Sequence, residues 1–344
     1  MAKKVISSSR KKKKALITGI TGQDGSYLAE LLLDKGYEVA GVVRKTSHFL
    51  YANIGHIQHR LNLIYADLLD PVSIMSAIKA VKPDEVYNFA SQSAPSESFK
   101  QPIHTAEITA IGAHRVLDAV REICPKAKFY QASSSEMYGW VLEIPQNEKT
   151  PFNPANPYAA AKLYAHNLSR IYRESYDMFI CCGILFNHES PRRGLGFVTQ
   201  KVAYAAACAK LGIITSEHLN EEGEPIVSNR KVSLGNLEAK RDWGFAGDYV
   251  EAAYLMMQQD KPDDYVIGTG KTHTIGELSK EAFDYVGLNW KKYVKVDKRF
   301  VRPTETGPLV ADSAKAKKVF GWEPKIGFKE LVAMLVDANL ARLK

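Results

Sequence analysis

A doubly wound parallel α/β sheet with a smaller, discontinuous second lobe is the architecture that three features predict. From residue 14 to about 180, short apolar runs alternate with stretches whose apolar residues recur at helical spacing. A glycine-rich turn, Gly19-Ile-Thr-Gly22-Gln-Asp-Gly25, joins the first run directly to the first helical stretch. Beyond about 188 the alternation loosens into Pro191-Arg-Arg-Gly, a helical stretch at 199–211 and a polar excursion at 215–232.

Each element follows from a local signal. Lys14–Thr18 reads as a short buried strand, and residues 26–35 as a helix with Gly36 as its C-cap. Glu38-Val-Ala-Gly-Val-Val is a second strand that runs off into Arg44 and Lys45. Further buried strands are expected at 63–66, 85–90, 128–133 and 178–186, with helices at 72–81, 104–123 and 158–176 between them. Asp248 opens another amphipathic helix, and a capped helix runs from about 328. The boundaries expected are a basic disordered tail at 1–13, a Rossmann-type domain at 14–188 and a second lobe at 189–344, which returns to the first domain over about 235–270.

Composition narrows the function. At 344 residues and 45% hydrophobic the chain can bury one large core and a smaller one. Lys3, Lys4, Arg10 and Lys11 to Lys14 supply seven of the eight net positive charges, so the body is nearly neutral and no nucleic-acid partner is expected. No apolar stretch approaches the ~20 residues of a membrane span, and the expected location is the cytoplasm. Cysteines 124, 181, 182 and 208 form no C-x-x-C pair and read as apolar fillers; no metal is expected.

The glycine turn between a strand and a helix is the arrangement that lets backbone approach a pyrophosphate at a helix N-terminus, so a bound dinucleotide is expected. About 20 residues further on, where an acid would hold a ribose 2′-hydroxyl, Arg44 and Lys45 stand instead. Adjacent cations suit a 2′-phosphate, which favours NADP. Sites in such sheets lie beyond the carboxyl ends of the strands, so Asp67-Leu68, Phe89-Ala90-Ser91, Ser133–Glu136 and Asn187-His188 should converge. In Tyr158-Ala-Ala-Ala-Lys162 the two side chains share one helix face. That spacing predicts that the Lys162 ammonium lowers the Tyr158 phenol, making it a base that takes a hydroxyl proton as hydride leaves the same carbon. Ser134 can hydrogen-bond the same substrate oxygen.

These motifs in this order resemble the extended short-chain dehydrogenases/reductases that act on nucleotide sugars. Longer blocks resemble the GDP-mannose 4,6-dehydratase family: Gly19 to Leu28, Pro83-Asp-Glu-Val-Tyr-Asn88, Phe129 to Glu136, Gly183 to Pro191 and Arg241-Asp-Trp243. The similarity spans about 14–340. It implies a hydro-lyase that turns GDP-mannose into GDP-4-keto-6-deoxy-mannose, with Glu136 taking the C5 proton that a C4 ketone acidifies and passing it to the departing C6 hydroxyl. It implies cofactor contacts from Gly19, Thr21, Gly22, Gln23, Asp24, Gly25, Arg44, Asp67, Leu68, Phe89, Ala90, Ser91, Tyr158, Lys162, His188 and Arg193. For the nucleotide sugar it implies Ser93, Asn187, Val198, Lys201, Gly235, Asn236, Arg241, Arg302 and Glu305, where the two arginines suit a diphosphate. It also implies a homo-oligomer, dimer or tetramer, assembled through the 45–58 loop.

Two departures leave the sugar open: Gln92-Ser93-Ala94-Pro95 where the family often has Gln-Ser-His-Val, and Thr304-Glu305-Thr306-Gly307-Pro308 where it often has Thr-Glu-Val-Asp. The alternatives are the same reaction on another GDP-sugar such as a heptose, a GDP-4-keto-6-deoxy-sugar reductase or epimerase, and a non-catalytic NADP-binding interaction protein.

Overall fold

The computed structural model describes residues 12–46, 51–301 and 306–344. In chain order the first half contains β1 (Lys14–Thr18), α1 (Gln23–Asp34), β2 (Glu38–Val43), β3 (Asn62–Tyr65), α2 (Pro71–Val81) and β4 (Glu85–Asn88). It continues through α3 (Pro95–Lys100), α4 (Pro102–Ala106), α5 (Gly112–Ile123), β5 (Lys128–Ser134), α6 (Pro157–Tyr176) and β6 (Ile180–Leu185). The second half adds β7 (Asn187–Glu189), α7 (Val198–Lys210), β8 (Val227–Ser228), β9 (Lys231–Leu234), β10 (Lys240–Phe245) and α8 (Ala246–Met257). It ends with β11 (Asp264–Ile267), β12 (Thr272–Thr274), α9 (Ile275–Tyr285), β13 (Val294–Val296), α10 (Ala314–Phe320) and α11 (Phe328–Leu343).

Seven strands form one sheet in the order β11-β6-β5-β4-β1-β2-β3, and every neighbouring pair is parallel. The order reverses between β1 and β4, the switch point at which a Rossmann sheet opens a crevice. The edge strand β11 returns from the second half to pair with β6, and α8 packs beside α1. On that face Leu28, Leu32, Tyr249 and Met256 are fully buried; on the other, Ile74, Ile78, Val116 and Val120 are. Burial of each such aliphatic side chain is worth roughly 1.5–3 kcal/mol. A separate core of Val202, Ala206, Leu278, Phe283 and Leu335 holds α7, α9 and α11 together.

Several elements differ from the sequence expectation for identifiable reasons. Helix α1 begins at Gln23, not Ser26, because its first turn carries polar side chains that tie to β7 and so lacks the apolar spacing. The expected helix at 104–123 is divided by a π-helical turn at Glu107–Ile111. The polar excursion contains β8 and hairpins onto β9. Cys181, Cys182 and Cys208 are buried, Cys124 is half-buried, and all four are free thiols. No helix among the described residues is long and apolar enough to cross a membrane.

Candidate active site

At the glycine turn, Gly19 has φ +73°, and a Cβ there would lie 2.8 Å from the Ala90 backbone nitrogen. A Cβ on Gly25 would lie 2.3 Å from the Gly19 carbonyl oxygen. Both positions therefore exclude side chains, and the turn closes through Gly22 N donating to Gly19 O at 3.0 Å. Asn53 Nδ2 donates to Thr21 O at 3.0 Å. Beneath the turn, Thr18 Oγ1 donates to Asn88 Oδ1 (2.7 Å) and accepts from Ala90 N (3.2 Å), which fixes the ends of β1 and β4 against each other.

The first turn of α1 is bound to β7. Gln23 donates to His188 O (3.1 Å) and accepts from Ser190 Oγ (2.8 Å). His188 stacks on Tyr249 at 4.6 Å and presents Nδ1 to the Phe186 carbonyl (2.7 Å) and Nε2 to Asp24 (3.0 Å). A carbonyl and an ionised carboxylate both only accept, so this arrangement favours the doubly protonated ring. Burial alone would push the Asp24 carboxyl up, but His188, Gln23 and Arg193 hold it down at about 2. Burial opposes the His188 charge, and Asp24 overcomes it, leaving the imidazole raised above its usual value.

The four residues that the sequence singles out for catalysis come from β5, the turn that follows it and α6. Ser134 ends β5, and its Oγ accepts from Glu136 N at 3.2 Å, capping a 3₁₀ turn over Ser135–Tyr138 that brings Glu136 into the crevice. Pro157 at the first position of α6 and Asn156 before it set the start of the helix that carries Tyr158 and Lys162. All four side chains are buried. Lys162 Nζ donates to Ala132 O at 2.7 Å and lies 5.8 Å from the centre of the Tyr158 ring.

The expected depression of the Tyr158 phenol is not found in this arrangement. Burial pushes it up to about 12, Glu136 adds to the rise, and the Ser134 hydrogen bond and Arg193 only partly offset it. Burial likewise pushes Lys162 down to about 8 against the pull of Asp24. Spacing places the pair on one face, but burial is the largest influence on both groups, and the ammonium is turned to a backbone carbonyl.

One cavity of about 450 Å³ joins most of the residues singled out in the sequence. Asp24, Phe89, Ser91, Ser93, Ser134, Glu136, Tyr158, Lys162, Asn187, His188, Arg193, Val198, Lys201, Gly235, Asn236 and Arg241 line it. Gly19, Thr21, Gly22, Gln23, Gly25 and Ala90 form the adjoining turn and strand end and do not line the cavity. Arg44 and Lys45 are exposed past the end of β2. Asp67 is engaged in its own turn, accepting from Leu69 N at 2.9 Å, and Leu68 is buried with its carbonyl taken by Arg115 at 3.0 Å. Arg302 and Glu305 lie outside the described residues.

At the far end of the cavity, buried Lys201 is ion-paired with Glu221 of the polar excursion. Arg241 Nη1 donates to Lys240 O at 2.7 Å, and the Gly235 Cα sits where a Cβ would meet Phe300 O at 2.3 Å. Arg193 lies over the Phe197 ring at 3.6 Å, and its buried Nε is 3.5 Å from Glu189 Oε2. Sequence reasoning missed Asn156, Phe197, Glu221 and Phe300. Asn-Pro at a helix start signals a cap, but nothing local reveals what a cap side chain touches, and the other three meet the site only through tertiary packing.

The sheet, the glycine turn and the Ser-Tyr-Lys set are those of an extended short-chain dehydrogenase/reductase. Its shape matches UDP-glucose 4-epimerase from Thermotoga maritima with UDP-glucose (TM-score 0.81, 23% identity, 96% of this chain and 100% of that one). It also matches a dTDP-glucose 4,6-dehydratase from Streptomyces venezuelae with NAD bound (TM-score 0.80, 20% identity, 94% and 96%). The family model described as GDP-mannose 4,6 dehydratase matches residues 16–335. GDP-mannose 4,6 dehydratase 2 of Arabidopsis thaliana is 51% identical (97% of this chain, 88% of the relative), and the Homo sapiens GDP-mannose 4,6 dehydratase is 45% identical (96% and 92%). The chain belongs to the GDP-mannose 4,6-dehydratase family, whose members are hydro-lyases.

Proposed function

We propose that this enzyme converts GDP-mannose to GDP-4-keto-6-deoxy-mannose and water, with NADP as the nicotinamide cofactor. The residues fit a dinucleotide: the glycine turn excludes Cβ atoms where a pyrophosphate would approach, and α1 begins at that turn. The turn with Asp24, His188 and Arg193 would hold it, and exposed Arg44 and Lys45 stand where a 2′-phosphate would be met. When bound and oxidised, it supplies the acceptor for the C4 hydride, the donor that returns that hydride to C6, and a positive charge that favours the Tyr158 phenolate.

Tyr158 takes the C4 hydroxyl proton, Ser134 holds the same oxygen, and Lys162 supplies a buried positive charge beside them. Glu136 takes the C5 proton as the C6 hydroxyl leaves, and delivers that proton to it as water; C5 is reprotonated as hydride reaches C6, and this proton balances the one that Tyr158 took from the C4 hydroxyl and releases to solvent. The observation that carries this reading is a buried carboxylate, Glu136, in the same cavity as the Tyr158 and Lys162 pair. An epimerase that only rotates a keto-sugar needs no acid/base there. Incubation with GDP-mannose, read by mass spectrometry for loss of one water, tests it; deuterium placed at C4 should appear at C6. Net accumulation of reduced cofactor, or label lost to solvent, would contradict it. On the same reading the enzyme is a cytoplasmic homo-oligomer, which light scattering and cell fractionation test.

A further inference from the structure

We infer that Asn156 is a positioning residue that sets the Glu136 carboxylate against the Tyr158 helix. Asn156 is the N-cap of α6, and its Oδ1 accepts from Ala159 N at 2.8 Å. Its Nδ2 donates to Glu136 Oε2 at 2.9 Å. The orientation of the amide admits no alternative, because a backbone N–H only donates and a carboxylate only accepts. The amide is planar, so fixing its oxygen on the helix fixes where its nitrogen, and with it the carboxylate, can lie. Glu136 itself sits on a separate element, the 3₁₀ turn that follows β5. One side chain therefore joins the base of the elimination to the helix whose next residues include Tyr158.

The cap alone does not require asparagine. Serine caps a helix about as well, through a hydroxyl that accepts from the same region of backbone, but it has no second arm. Asn156→Ser therefore separates the two roles: the helix start is kept and the hydrogen bond to Glu136 is lost. Asn156→Asp also keeps the cap acceptor, and sets a like charge beside Glu136.

The inference rests on Glu136 being the base, and the experiment separates the two. Asn156→Ser, Asn156→Asp and Glu136→Gln are compared with the parent in kcat and KM for GDP-mannose, in the kinetic isotope effect of C5-deuterated substrate, and in thermal unfolding. For Asn156→Ser the expected result is a midpoint within about 2 °C of the parent. Its KM should stay within about two-fold, its kcat should fall about ten-fold, and its C5 isotope effect should rise because proton abstraction has become slower. Asn156→Asp should hold its midpoint and lose more kcat than the serine variant. A parental kcat and isotope effect in Asn156→Ser, with Glu136→Gln inactive, overturns the inference and leaves the base assignment standing. So does a loss of kcat that only follows a lowered midpoint. Parental elimination by Glu136→Gln overturns both.

Discussion

The two ends of the cavity are built on different principles. At the end proposed for catalysis, Ser134, Glu136, Tyr158 and Lys162 come from the end of a central strand, the short turn after it and the start of a long helix, and Asn156 links the turn to the helix. At the opposite end, proposed for the nucleotide, Lys201 projects from α7 and Arg241 from β10, and Lys201 is ion-paired with Glu221 of the polar excursion. The same excursion reaches Lys100 through Glu222 and Arg299 through Glu224, so it spans from α3 of the large sheet to the segment after β13. A rigid scaffold suits atoms that must meet within tenths of an ångström; exchangeable ion pairs suit a charged group that must enter and leave.

The largest effect that would sharpen this contrast is expected from Glu136→Gln. It keeps the shape of the side chain and removes the base, so kcat should fall about 10³-fold with cofactor binding intact, measured by steady-state kinetics and by titration of the cofactor. Next, replacing Arg44 and Lys45 together by alanine should lower the preference for NADP over NAD by about ten- to a hundred-fold in dissociation constants. Equal affinity of the parent for both cofactors would contradict the role given to these residues.

A smaller effect should appear at the nucleotide end. Lys201→Met should raise KM for GDP-mannose about ten-fold with little change in kcat, and Glu221→Gln, by releasing Lys201, should lower KM about three-fold. A collapse of kcat in Lys201→Met would break the comparison, because the two ends would then not be separable.

The smallest effect concerns the Asp24–His188 tie. A carboxyl held at about 2 instead of 3.8 contributes stability that is present above about pH 4 and lost as pH falls towards 2. A histidine raised above 6.5 contributes stability that is complete below that value and lost as pH rises through its raised value. The pair is therefore strongest between about pH 4 and 6.5. Unfolding midpoints of the parent and Asp24→Asn should differ most near pH 5, by about 1–2 kcal/mol in stability, and converge on either side.

The alternating sheet, the glycine turn and the set of residues at strand ends were legible because each rests on local rules: period, glycine geometry and the fact that parallel strands gather their carboxyl ends. Two kinds of fact were not. The charge state of Tyr158 depends on how deeply tertiary packing buries it, which spacing to Lys162 cannot report. The partners of Asn156 and Lys201 lie 20 residues away along the chain in both cases, Glu136 and Glu221, and meet across turns whose shape no periodicity encodes. The first turn of α1 was missed for the related reason that its side chains face a neighbour by hydrogen bonding and leave no apolar stripe.

Strand β11 carries a consequence for how the chain emerges from a ribosome. The sheet is complete only when Asp264–Ile267 pairs with β6. Roughly 80 residues separate those strands, so at translation speeds of about 5–20 residues per second the β6 edge waits several seconds without its neighbour. Throughout that interval Ile180 to Leu185 offers an open row of backbone donors and acceptors on an apolar strand, the kind of edge that recruits other chains. Asp264 then locks the late arrival by accepting two hydrogen bonds from Arg173 of α6, at 2.9 and 3.2 Å. A nascent chain stalled before residue 264 would thus be the most aggregation-prone form of this protein, although the whole stretch from Ser134 to Lys162 has already been synthesised.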